Sequence, residues 1–230
     1  MVIFLLTIFV WFACLFFLRP NPSDLQAKIP SYWESFKKIK ATFWLGIFLI
    51  LVFFIFSGGT FIDINEDWFA ILGVNNVNLL TPWWFIQAFT HNFVHINLLH
   101  LLVNLTFLGM LSLYERKVSA GRFLAVFLFG GVLSSTSMFL MFTPTVSAGA
   151  SAGLFALAGA YLLDTPGLTR KDYILGLGMI VFLFLVLSFS ETRKSAESLN
   201  FEIDFWGHAF GLIFGIVFCK LFPRKVVTVF

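Results

Sequence analysis

SAGASAGLFALAGAYLL, residues 147–163, decides how this chain is read. The stretch is apolar, rich in small residues, and carries a hydroxyl at Ser151. From Ser151 to Leu163 an α-helix rises only about 20 Å, short of the ~30 Å hydrocarbon core of a bilayer. Asp164 and Pro166 mark its inner end, so Ser151 is expected below the outer surface, roughly a third of the way into the membrane. The Ser-Ala-Gly-Ala run before it then has to be irregular backbone at membrane depth. Such backbone is tolerated only inside protein or beside water.

The remaining sequence makes the same demand. Of 230 residues, 59% are hydrophobic and 12% charged, against about a quarter charged in soluble domains. The 33 phenylalanines suit lipid-facing and helix-packing surfaces. The expected fold is an all-α polytopic membrane protein. Its spans are predicted at Val2–Leu18, Thr42–Phe61, Phe93–Leu113, Phe123–Phe142, Ala148–Leu163, Tyr173–Phe189 and Phe205–Phe222. The first lacks a basic n-region and a small-x-small cleavage site, so it reads as an uncleaved span and not as a signal peptide.

Lys and Arg set the orientation. One set of loops holds Arg19, Lys28, Lys37, Lys38, Lys40, Arg116, Lys117, Arg122, Arg170, Lys171, Lys220, Arg224 and Lys225; the other holds only Arg193 and Lys194. Seven alternating spans with the N-terminus outside and the C-terminus inside reproduce that split. The net charge of +3 is small and its basic residues are dispersed, so no nucleic-acid partner is expected. Cys14 and Cys219 lie in separate apolar runs and read as packing residues. Residues 19–41 read as a cytoplasmic linker, and 62–90 as a long outer loop whose Trp68, Trp83 and Trp84 suit the headgroup layer. Residues 190–204 read as a second outer loop, polar and mixed in charge.

Polar side chains inside such spans need a reason to be there. His208 sits in an apolar helix whose Gly207, Gly211 and Gly215 share one face, which allows a close approach to another small-residue face. Ser151 and His208 fall at similar depth near the outer ends of their helices, a possible nucleophile and base. Phe155, one turn below Ser151, is placed to pack on the imidazole. His100 and Asn104 share a face of the third span and could donate to a developing oxyanion. Alternatively they only bond neighbouring helices. His91 and His95 invite a metal reading, but no acidic residue lies among the four histidines and no His-Glu-x-x-His pattern occurs, so neither metal nor cofactor is expected.

Taken in order, these motifs resemble the rhomboid family of intramembrane serine proteases. His91, His95, His100 and Asn104 match the spacing in that family's second core helix. Gly149-Ala150-Ser151-Ala152 matches its Gly-x-Ser nucleophile motif, and His208 through Gly215 its last core helix. Tyr114-Glu115-Arg116-Lys117 and Gly121-Arg122-Phe123 resemble the loop after the second core helix. The resemblance implies a six-helix rhomboid-like core, residues 42–222, after an additional N-terminal transmembrane helix, 1–18, and the linker, 19–41, with a tail at 223–230.

It further implies a Ser151–His208 dyad with no carboxylate member, in a water-filled cavity open to the non-cytoplasmic side. His100, Asn104 and the Ser151 N–H would form the oxyanion hole, with Gly149, Phe155, His95, Gly211 and Gly215 in support. Substrates would be transmembrane proteins, cleaved in or beside their spans in the inner or plasma membrane of a cell. Two departures stand out. Ile86 and Gln87 occupy the positions of a common Trp-Arg pair, and Ala152 and Phe155 replace a common glycine and tyrosine.

Two other functions fit the sequence less well. A catalytically inactive relative that binds or escorts membrane proteins would have no use for serine and histidine together. A transporter would place ionisable residues mid-span, and beyond the histidines none is found there.

Overall fold

The computed structural model describes residues 2–17, 31–60, 62–165, 168–191 and 204–224. It is mostly helical. In chain order the elements are α1 (Val2–Phe17), α2 (Tyr32–Phe36), α3 (Lys40–Phe56), α4 (Glu66–Leu72), β1 (Val74–Asn75), α5 (Pro82–Thr90), α6 (Leu98–Glu115), α7 (Ala120–Ser134), β2 (Val146–Ser147), α8 (Ser151–Asp164), α9 (Arg170–Glu191) and α10 (Phe205–Leu221). Each of the seven apolar stretches holds one of these helices. Among the described residues, 98–115 and 120–140 are long and apolar enough to cross a membrane. Most of the linker read at 19–41, most of the loop read at 190–204, including Arg193 and Lys194, and most of the tail lie outside the described residues.

Helix α8 is the axis of the bundle, with every residue from Ser151 to Ala160 buried. It packs most closely on α7 and α10 and also touches α6 and α9. Missing side chains explain the closeness. A Cβ at Gly211 or Gly215 would lie 2.2 Å from the carbonyl oxygen of Ala152 or Ala156, and one at Gly130 2.1 Å from the Ala156 Cβ. In lipid, where burying apolar surface between helices brings little, such backbone approach is what drives packing. Helix α1 docks by the reverse device, a large side chain into a gap. Trp11 is fully buried and occupies the space that a Cβ at Gly46 of α3 would need.

One end of the bundle is tied by polar side chains. The Glu115 carboxylate accepts from the Ala41 and Thr42 N–H groups at 2.8 Å each, capping α3, whose first N–H groups lack helical partners. The Arg116 guanidinium donates to the Leu15 carbonyl at 2.8 Å, to Ser35 Oγ at 2.7 Å and to Ser112 Oγ, joining α1 and α2 to α6. Tyr114 and Arg122 both donate to Asp164 at the foot of α8.

Several boundaries differ from those expected. Helix α6 begins at Leu98 and not at Phe93, because residues 91–93 form a separate 3₁₀ turn and the Asn97 side chain caps the new start, accepting from His100 N–H at 2.8 Å. Helix α3 ends five residues early, where Gly58 and Gly59 take positive φ. Helix α7 tightens into a 3₁₀ segment, residues 135–140, where the hydroxyls of Ser134, Ser135 and Thr136 each donate to the carbonyl three residues back. Tyr114 and Glu115, read as loop, are the last residues of α6.

The loop read at 62–90 is largely structured. Asn65 caps α4, Thr81 caps α5, and β1 pairs antiparallel with β2, a small ribbon in a chain read as all-α. Trp68 and Trp83 are half-exposed, but Trp84 is buried, packed edge-on against Phe139, and so does not face the headgroup layer.

Candidate functional site

The turn before α8 is built to present Ser151. Gly149 has φ +138°, a conformation side chains avoid, and a Cβ there would lie 2.7 Å from the His100 ring and 3.6 Å from Ser151 Oγ. Glycine is therefore required both by backbone and by room. The Gly149 N–H donates to the His91 carbonyl at 2.8 Å, which pins the turn to the 3₁₀ segment. The Ala150 N–H points at His95 Nε2 from 3.5 Å, and the His95 and His100 rings meet edge to face at 5.1 Å. Helix α8 then starts at Ser151 itself.

His208 lies on the first turn of α10. Its Nε2 is 2.7 Å from Ser151 Oγ, a contact between residues 57 apart in sequence. The Gly211 and Gly215 face holds the two helices near enough for this bond. Phe155 lies against the imidazole with centroids 4.9 Å apart, and Phe184 of α9 meets its edge at 6.2 Å. Among the described residues, nothing bonds His208 Nδ1. The ring is oriented by aromatic packing, and its Nε2 is the acceptor when the proton sits on Nδ1.

Of the other expected residues, His100 faces the Gly149 turn, as the glycine contact shows. Asn104 is one helical turn further along α6; its Nδ2 donates to the His100 carbonyl at 2.9 Å, and its buried Oδ1 has no partner among the described residues. His91 turns away from the serine, with Nδ1 2.9 Å from the Gln87 carbonyl oxygen; burial lowers its pKa to about 4. Ser151 and His208 are only 5% and 3% exposed.

The family's Trp-Arg position is filled differently. Ile86 is exposed, while Gln87 is fully buried and ties α5 to its neighbours: Nε2 donates to the Ala70 and Ile71 carbonyls, and Oε1 accepts from Asn75. Sequence reasoning missed Asp204. It caps α10 and accepts from Gly207 N–H and Ser137 Oγ. Its only local signal was an acidic residue just ahead of an apolar helix.

The Rhomboid domain family matches residues 81–225, a range that takes in the 3₁₀ turn, the Gly149 turn and both helices of the Ser151–His208 pair. The chain belongs to the rhomboid family. It is therefore an integral membrane protein. It is 33% identical over 173 residues to the Rhomboid protease GluP of Bacillus subtilis, covering 72% of this chain and 31% of that protein. It is 22% identical over 170 residues to Rhomboid-like protease 3 of Toxoplasma gondii, covering 70% of this chain and 61% of that one. The match therefore spans about a third of the first relative and three-fifths of the second.

Proposed function

We propose that this rhomboid is an intramembrane serine endopeptidase that cleaves peptide bonds in or next to the transmembrane segments of other membrane proteins. The carrying observation is the 2.7 Å contact between Ser151 Oγ and His208 Nε2. A hydroxyl and an imidazole at that distance, buried together, form the nucleophile and general base of acyl transfer.

His208 takes the Ser151 proton as Oγ attacks the substrate carbonyl, then delivers it to the leaving amine. A water repeats the cycle on the acyl-enzyme. The tetrahedral oxyanion forms at the N-terminus of α8, where the first helical N–H groups have no internal partners and the helix dipole favours negative charge. His100, beside the Gly149 turn, supplies a further donor. Asn104 adds its amide by leaving the His100 carbonyl. Removing one such donor typically lowers the rate by about 100- to 1000-fold. With no carboxylate bonded to it among the described residues, the imidazole depends on Phe155 and Phe184 for its orientation. A helical substrate hides its carbonyls, so small residues that ease unwinding near the outer interface favour cleavage.

The proposed topology has seven crossings, a six-helix core after α1, with the N-terminus outside. It rests on the thirteen-to-two division of basic residues between the two sides. On that reading Ser151 and His208 lie towards the outer leaflet.

The test is purified protein in proteoliposomes with a labelled single-pass substrate, plus a fluorophosphonate probe. Ser151→Ala and His208→Ala are expected to abolish cleavage while inserting normally, and Ser151→Ala to abolish labelling. Normal turnover by either variant overturns the assignment. A wild-type protein that neither labels nor cleaves is instead a non-catalytic member that binds or escorts membrane proteins.

A further inference from the structure

Asp204 is one turn ahead of His208 and is buried, with 8% exposure. Its backbone carbonyl accepts from the His208 N–H at 3.1 Å, and its Oδ1 accepts from the Gly207 N–H at 2.6 Å. An N-cap for α10 needs no more than this, and such a cap ordinarily sits in solvent. Asp204 does more. Its Oδ2 accepts from Ser137 Oγ at 3.0 Å, in the 3₁₀ segment after α7, and the Ser147 side chain also bonds to the carboxylate. Ser147 ends β2, four residues before the nucleophile. One carboxylate thus joins the first turn of the base helix to the strand that delivers Ser151.

The carboxylate's three partners, one backbone N–H and two hydroxyls, are neutral donors. Burial raises the Asp204 pKa above the ordinary carboxylate range, and the three hydrogen bonds oppose that rise. A buried acid held among neutral partners is an expensive way to cap a helix. The hydrogen bonds to two other segments give it a purpose. The dyad has no other polar restraint on the base: among the described residues His208 Nδ1 has no partner.

We propose that Asp204 is a positioning residue that sets the Ser151–His208 separation by tying the N-terminus of α10 to Ser147 and Ser137. The proposal rests on the dyad reading above and adds to it a determinant of geometry outside the reacting atoms.

Two substitutions separate capping from tying. Asp204→Asn keeps an acceptor for Gly207 N–H and an amide within reach of both serines. Asp204→Ser keeps a good N-cap but is too short to bridge to Ser137 and Ser147. The full chain in detergent is assayed for kcat, KM, fluorophosphonate labelling rate and Tm. Asp204→Asn is expected within about fivefold of wild type. Asp204→Ser should lower kcat and labelling rate by about 10- to 100-fold, the range for an ångström-scale misplacement, with KM within about twofold. Ser147→Ala should move both in the same direction, by less.

Turnover of folded Asp204→Ser within about threefold of wild type overturns the proposal, even if its Tm falls, because a merely structural role moves Tm alone. An Asp204→Asn variant as slow as Asp204→Ser overturns it too. Ser151→Ala is run alongside. If Ser151→Ala still cleaves, the dyad reading fails. If Ser151→Ala is dead and Asp204→Ser is fast, only the positioning role fails.

Discussion

Substituting Gly211 by alanine tests whether backbone approach between α8 and α10 creates the site. The new Cβ would lie 2.2 Å from the Ala152 carbonyl oxygen, 2.9 Å from its carbon and 3.0 Å from its Cα. All three are backbone atoms of α8 and cannot rotate away. Ordinary contact begins at 3.4 Å, so α10 must withdraw by about 1 Å. Ser151 is the neighbour of Ala152, and His208 lies three residues before Gly211 on the same helix. The 2.7 Å hydrogen bond would open to about 3.7 Å, outside the 2.6–3.2 Å range of a working base. A misplacement of that size lowers turnover by about 100-fold, or about 2.7 kcal/mol in the barrier. The overpacking itself destabilises by about 1–3 kcal/mol.

The assay is the fluorophosphonate labelling rate and kcat on a single-pass substrate, each normalised to folded protein. Gly121→Ala serves as control, since a Cβ there meets nothing within 4 Å. Labelling by Gly211→Ala within about threefold of wild type would refute the reasoning.

Further outcomes follow from other contacts. Gly149→Ala forces a side chain into φ +138° and against the His100 ring, a strain of about 1–3 kcal/mol; labelling should fall by at least tenfold, and full labelling would show that the turn tolerates a Cβ. Phe184→Ala uncovers one edge of the His208 imidazole, so probe labelling should change; an unchanged rate would mean that Phe184 neither shields nor orients the ring. His91 is buried and neutral in the folded protein, with its pKa lowered from 6.5 to about 4. Its contribution is complete above pH 6.5 and is lost as pH falls from 6.5 towards 4. Tm in detergent should therefore drop between pH 7.5 and pH 5, and less so in His91→Gln; equal drops would assign the effect elsewhere. Arg116→Met leaves the Leu15 carbonyl and Ser35 without their donor and should lower Tm by several degrees. Since position 116 lies about 24 Å along α6 from His100, kcat of the folded fraction should hold within about threefold; an unchanged Tm would deny Arg116 its role in docking α1.

What could be read early was what is local in the chain. Apolar runs of the right length located seven helices, and the small residues around Gly149, Gly211 and Gly215 marked the faces that approach closely. Ser151, His208 and the His100–Asn104 pair stood out because polar groups in apolar helices are rare. The misread boundaries were set by side chain to backbone bonds: Asn97 starting α6, and the hydroxyls of Ser134, Ser135 and Thr136 tightening the end of α7. Hydropathy averages over such single bonds and cannot see them.

The sequence by itself determined that this is a membrane protein of the rhomboid type, because hydrocarbon thickness and the cost of buried polar groups act on each segment separately. Only the tertiary structure decided that Trp84 turns inward onto Phe139, that His208 meets Ser151, and that Asp204 reaches Ser137. Each of these depends on a contact between distant parts of the chain. No window of sequence contains both partners, so their meeting is a property of the packed bundle alone.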